Sequence, residues 1–195
     1  MSSLSEDVTD RVLHAAQVLF ARYGFQRTSM ADVAAEAKVA RATLYLRFRD
    51  KRALFEGLAE WLVDGALLAA EAAWSEDAGL ADNLERTILA KDLPLWRLLH
   101  APHGSELLAL DADLTRRHVE RLDHGFAALL SRRAGEQAGL DLSAFDGVVG
   151  FGSFLATAAA GLKHEIRVED AYVAAIGRLC AVSAKAANAP PERKQ

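Results

Sequence analysis

TSMADVAAEAKVARATLYLRFRDKRALF, residues 28–55, packs three helix signals into a short span. Ser29 followed by Asp32 matches a capping box, in which each side chain satisfies the other end's free backbone N–H, and it opens a short helix over Met30–Ala37. A tight turn through Lys38-Val39 leads to a second short helix over Arg41–Phe48. Asp50 is a good N-cap for a longer helix from Lys51 to about Trp74, with Leu54, Phe55, Leu58, Leu62 and Val63 on its apolar side. Upstream, Val8, Val12, Ala15, Ala16, Leu19 and Phe20 recur at helical spacing, and Gly24 stands where a left-handed C-cap belongs.

Two short helices joined by a tight turn spell a helix-turn-helix when the surface around them is basic. From Arg22 to Arg52 there are 8 basic and 3 acidic residues, a local +5 in a chain of net charge −4. DNA attracts such a face, and an acidic remainder suppresses indiscriminate sticking. In this motif the second helix enters the major groove and its first turn reaches base edges. That turn presents Arg41, Thr43, Leu44 and Tyr45. Arg41 is suited to a bidentate contact with guanine, and Leu44 and the Tyr45 ring to thymine methyls. Thr43 and the Tyr45 hydroxyl suit phosphates, Arg47 and Arg49 follow, and Lys51 opens the next helix, where free N–H groups also favour phosphate. Thr28, Ser29 and Lys38 complete the candidate DNA contacts. The competing reading is that Leu44, Tyr45 and Phe48 are core residues of a small three-helix module, which holds best for Phe48 and Val39.

The rest of the chain is helical in pattern too. Of 195 residues, 51% are hydrophobic, 26% charged and 7% aromatic, with only 4 Pro, which favours an all-α globular fold. Helices are expected over about 80–92, 94–100 and 103–110, broken at Pro94 and Pro102, then over 113–133, 143–164 and 169–187, with 135–142 as a linker and 188–195 as a fraying tail. A single cysteine, Cys180, and the polar start MSSLSEDVTD point to a cytoplasmic protein without a signal peptide. The longest charge-free stretch, Gly147–Leu162, is too short to span a bilayer and holds four glycines, so no membrane association is expected. No nucleophile elbow, phosphate-binding glycine loop or paired-cysteine motif is present, so no catalytic residue, enzyme activity or cofactor is expected.

The stretch 28–55, with the preceding Leu19-Phe20-Ala-Arg-Tyr-Gly-Phe-Gln-Arg-Thr28, resembles the signature of the TetR family of one-component repressors, above all in its Thr43-Leu-Tyr45, Phe48, Lys51 and Leu54 spacing. The resemblance covers residues 8–60. It implies a DNA-binding head (1–52), a helical ligand-binding and dimerisation body (53–195), a palindromic double-stranded operator, and a homodimer formed largely by the last two long helices. Three positions depart from the usual pattern. Lys38 stands in the turn where Gly is usual, a strain of roughly 1 kcal/mol if the backbone is left-handed there. Ala40 replaces a common Ser cap, and Ala42 a frequent Gly.

The resemblance also implies release from DNA by a small-molecule effector held in the body. Trp96, Leu99, His103, Leu107, His118, Leu122, Phe126, Phe151 and Leu155 are candidates to line its pocket, or simply the bundle's core. With no basic cluster apparent for a phosphate, a hydrophobic effector is expected. His100, His103 and His118 lack the tight partners of a zinc site, so no metal is expected. Small residues along the last two helices allow close backbone approach, and Gly147, Gly150, Phe154, Ala158, Tyr172, Ile176 and Cys180 are candidates for the dimer interface.

Overall fold

A computed structural model describes residues 2–188, with side chains from residue 7 onward; the expected fraying tail lies mostly outside the described residues. Among these residues there are nine α-helices and no strand: α1 (Ser2–Tyr23), α2 (Met30–Glu36), α3 (Arg41–Arg47), α4 (Lys51–Ala73), α5 (Leu80–Leu99), α6 (Gly104–Ala109), α7 (Ala112–Glu136), α8 (Gly147–Glu165) and α9 (Glu169–Ala187). One 3₁₀ turn, Ser143–Phe145, precedes α8. The all-α expectation is borne out.

The helix punctuation follows local chemistry. Gly24 is left-handed (φ +84°) and its N–H donates to the Phe20 carbonyl, ending α1 as its spacing predicts. Ser29 and Asp32 form the complete capping box at the start of α2. Asp50 accepts from the Ala53 N–H at 2.7 Å and caps α4. Two expected breaks were misplaced. Pro94 lies inside a continuous α5, although it can donate no N–H to the preceding turn. The helix persists because residues on both sides of the proline, Ile88, Lys91, Asp92 and Trp96, are buried on one face, which outweighs one missing bond. The segment expected over 143–164 begins later than 143, because Asp146 (φ +59°) and Gly147 (φ +89°) turn the chain left-handed between the 3₁₀ turn and α8.

The chain divides into two compact units. The first, residues 1–64 with 97–119, is built around Val12, Ala16 and Phe20 of α1, Met30 and Val33 of α2, Leu44 of α3 and Leu54 and Leu58 of α4. Each large side chain removed from water there contributes about 1.5–3 kcal/mol. Leu107 and Leu114 belong to this same core. The unit that holds the helix-turn-helix therefore reaches past residue 52 and recruits α6. The second unit, residues 65–96 with 120–195, has its own core of Trp74, Leu84, Ile88, Phe126, Leu130, Phe151, Leu155, Tyr172 and Ile176.

Candidate nucleic-acid interface

The turn between α2 and α3 is a Schellman motif. The Val39 N–H donates to the Ala34 carbonyl at 3.0 Å and the Lys38 N–H to the Ala35 carbonyl at 3.1 Å. This closure needs a left-handed residue, and Lys38 supplies it at φ +55°, the strain expected from its place in the sequence. Ala40 then starts α3 in extended backbone with no side-chain cap, as its lack of an acceptor predicts.

On α3 the periodicity sorts the side chains. Leu44 is fully buried among the apolar residues of the head, which corrects the assignment of Leu44 as a base-reading residue. Arg41, Tyr45, Leu46 and Arg47 face outward, Thr43 is half-buried, and Leu46 is 85% exposed. Residues two apart on a helix point to nearly opposite sides, so burying Leu44 turns Leu46 out. Arg47 also donates from its guanidinium to the Thr9 hydroxyl at 3.0 Å, which ties the end of its side chain to α1.

Three further candidates serve the scaffold. Thr28 is buried and its hydroxyl donates to the Gly24 carbonyl at 2.9 Å. The Ser29 hydroxyl is engaged with Asp32 in the capping box. The Lys51 ammonium donates to the carbonyls of Phe25 (2.7 Å), Thr28 (2.9 Å) and, at longer range, Gln26 (3.4 Å), and it lies 4.3 Å from the centroid of the Phe25 ring. Partial burial pushes its pKa down. Lys51 is a strut under the α1–α2 loop, and the reading of it as a free phosphate ligand is corrected accordingly. Asp32 and Asp50 are held below the ordinary carboxylate range. For Asp32 the largest cause is its bond with the Ser29 side chain; for Asp50 it is the Ala53 N–H.

The second unit corrects the remaining candidates. Leu99, His103, Leu107 and His118 fall in the first unit, whereas Trp96, Leu122, Phe126, Phe151 and Leu155 fall in the second, so these nine do not form one site within either unit. Leu107 is head core, and Trp96, Phe126, Phe151 and Leu155 are body core. Tyr172, Ile176 and Cys180 are wholly buried inside the chain and have no surface to offer a second copy. Burial pushes the Cys180 thiol up to about 12, leaving it an inert core group. Gly150 and Gly152 have reasons within the chain, because a Cβ would lie 1.7 Å from the Phe145 carbonyl oxygen or 2.2 Å from Ser131 Oγ. Of the interface candidates Phe154 is exposed, and with it α8 leaves Val149, Thr157 and Gly161 uncovered and α9 leaves Ala174, Ala181 and Val182.

The same unit holds a polar centre that sequence reading missed altogether. Lys91 and Asp92 are completely buried and Lys163 nearly so. Asp92 Oδ1 accepts from Lys163 Nζ at 2.9 Å and lies 3.1 Å from Lys91 Nζ, which sits 4.0 Å from the Phe126 ring centroid. Burial alone would raise the Asp92 carboxyl, but the two lysines outweigh it and hold it low; burial pushes Lys91 down. Burial, and then the facing Asp92 charge, push the Tyr172 phenol far up. Lys163 is remote in sequence from Lys91 and Asp92, so no spacing rule could have joined them.

Paired short helices with fixed caps, and an outward row of arginine, tyrosine and leucine on the second, define a helix-turn-helix DNA-binding regulator with a helical body. Residues 12–58 match the family model described as bacterial regulatory proteins, tetR family. The match makes residues 12–58 a DNA-binding head of the tetR-family type. Solved structures with the same fold include a TetR-family regulator from Rhodococcus sp. (17% identity, 93% of this chain and 99% of that one, TM-score 0.66). Another is from Streptomyces coelicolor (19%, 92% and 96%, TM-score 0.58). A third is a SmeT–triclosan complex (16%, 96% and 99%, TM-score 0.60). No curated protein matches the sequence. Among the described residues no helix is long and apolar enough to cross a membrane.

Proposed function

We propose that this chain is a ligand-responsive cytoplasmic repressor that binds a palindromic operator as a homodimer and leaves it when a small organic effector enters the body. Residues 1–52 form the DNA-reading part, and residues 53–195 carry effector binding and dimerisation. The observation that carries the reading is the outward row on α3, Arg41, Tyr45, Leu46 and Arg47, set on a helix whose start is fixed by the Schellman turn. Arg41 takes guanine through its two-pronged guanidinium, and Tyr45 and Leu46 take thymine methyls. Thr43 and Lys38 meet phosphates, which position the helix without reading sequence. A chain of the same fold is in complex with triclosan, which supports a small-molecule site in this body.

A twofold operator needs two heads, and the exposed stripe around Val149, Phe154 and Val182 supports α8 and α9 as the dimer seam. Gly161 has open space about it, so a second backbone can approach there. α4 carries residues of both units, which gives an event in the body a continuous helix through which to bias the heads.

Selection of bound duplexes from a random library by the purified chain tests the reading directly. An enriched palindrome is expected, with half-sites about one helical turn or more apart. Tyr45→Ala should abolish the enrichment, and Arg41→Ala should relax one base position. Val182→Glu should give monomers in sedimentation and cost operator affinity. A library that stays random at modest salt would refute the proposed operator reading.

A further inference from the structure

The large exposed side chains of α3 do not all point the same way. At about 100° per residue Tyr45 stands about 40° from Arg41, so these two share a side. Arg47 stands about 160° from Tyr45 and only about 60° from the buried Leu44. It therefore leaves α3 on the flank toward α1, where its guanidinium Nη1 donates to the Thr9 hydroxyl at 3.0 Å. Arg47 is also the last residue of α3, about 9 Å along the axis from Arg41. In a helix-turn-helix the first turn of the second helix reaches base edges, so a side chain on the flank at the far end meets the DNA backbone beside the groove. Thr9 precedes residues 12–58, the stretch that matches the family model, so the tether is a feature of this chain beyond that match.

Resting on the DNA-binding reading above, we propose that Arg47 is a clamp for a DNA phosphate and that Thr9 is the residue that positions it. Arg47 is exposed and Thr9 half-buried, so the hydroxyl is the anchored end of the pair and the guanidinium the solvent-facing end. A guanidinium carries five N–H donors in a fixed fork, and this bond engages one of them. The threonine hydroxyl is neutral, so the bond orients the guanidinium without adding a negative charge beside it. An arginine loses rotamer freedom when it grips a ligand, and one already held by α1 has less of it left to lose. The clamp is indifferent to base sequence. Phosphate contacts fix the register and tilt of a reading helix, which lets Arg41 and Tyr45 present the same side to each half-site.

Binding of the full-length protein to a mixed-sequence duplex, followed by fluorescence anisotropy over a salt series, tests this without a known operator. Phosphate contacts supply essentially all of such binding. Arg47→Ala should weaken it several-fold and lower the slope of log K against log salt by about one, the mark of one lost phosphate contact. Thr9→Val keeps the shape and removes the hydroxyl. It should weaken binding about two- to fivefold, the worth of a modest hydrogen bond, and leave the slope near wild type because the charge remains. Thr9→Ser should restore wild-type affinity, and Thr9→Val should add nothing in the Arg47→Ala background. Melting temperatures check that each variant folds, and Arg47→Gln makes the same comparison should Arg47→Ala melt early. An unchanged slope in Arg47→Ala, or Thr9→Val weakening that variant as much as wild type, would overturn the proposal. So would relaxation of one base position by Arg47→Ala in the library selection, which would make Arg47 a base reader. A slope that falls in a protein that enriches no operator would keep the clamp and sink only the operator reading. An enriched operator with an unchanged slope would do the reverse.

Discussion

Replacing Lys51 with methionine keeps an unbranched side chain and its apolar stem and removes only the ammonium. In the native head that ammonium holds two carbonyls within 3 Å, those of Phe25 and Thr28, and a third at 3.4 Å, and it sits over the Phe25 ring. A hydrogen bond to a charged group is worth about 1.5–3 kcal/mol, and a partly shielded cation–π contact about 0.5–1 kcal/mol. The bonds share one donor and the site is only half-buried, so water recovers part of what is lost. The expected loss is about 2–3 kcal/mol, less than the plain sum. Urea denaturation followed by circular dichroism measures it, and hydrogen exchange should place the loosening in residues 24–30. If Lys51 instead bound phosphate as its main task, stability would stay within about 0.5 kcal/mol of wild type and the salt slope of operator binding would drop by about one. That pair of results would refute the strut.

The other expectations concern turns, packing and acid. Lys38→Gly should stabilise the head by about 1 kcal/mol in urea, because glycine adopts φ +55° without the Cβ penalty, while operator affinity falls with the lost charge. Gly152→Ala should destabilise the body by about 1–3 kcal/mol or more, since its Cβ would meet Ser131 Oγ at 2.2 Å and the Ala127 carbonyl oxygen at 2.4 Å; an unchanged midpoint would mean α7 and α8 are not so closely packed. Asp32 and Asp50 have folded pKa values below their ordinary 3.8, so their capping is fully present above that value and is lost as pH falls through the lower folded value. The melting temperature should therefore fall more steeply below pH 3.8 in wild type than in an Asp32→Asn, Asp50→Asn double variant.

The parts of this protein that were legible from sequence are those whose causes are local. A capping box is two residues three apart, a left-handed cap is one glycine, and the strain at Lys38 followed from the position of one turn. Helix type and order rest on periodicity, which is also local. Pro94 shows where that logic stops, because the helix passes through it on the strength of burial contributed by other segments. Leu44 and Leu46 mark the same boundary from the other side. Either alone fits a DNA-facing leucine, and only the position of the head's core decides between them.

Charge was the least legible feature. Lysines and aspartates belong at the surface by default, because a buried ion costs several kcal/mol unless it is paired. Lys91, Asp92 and Lys163 break it together, and they can do so only because α5 and α8 bring the second lysine onto the carboxylate. Each residue looks unremarkable in its own stretch; the exception exists only in the folded pair of helices.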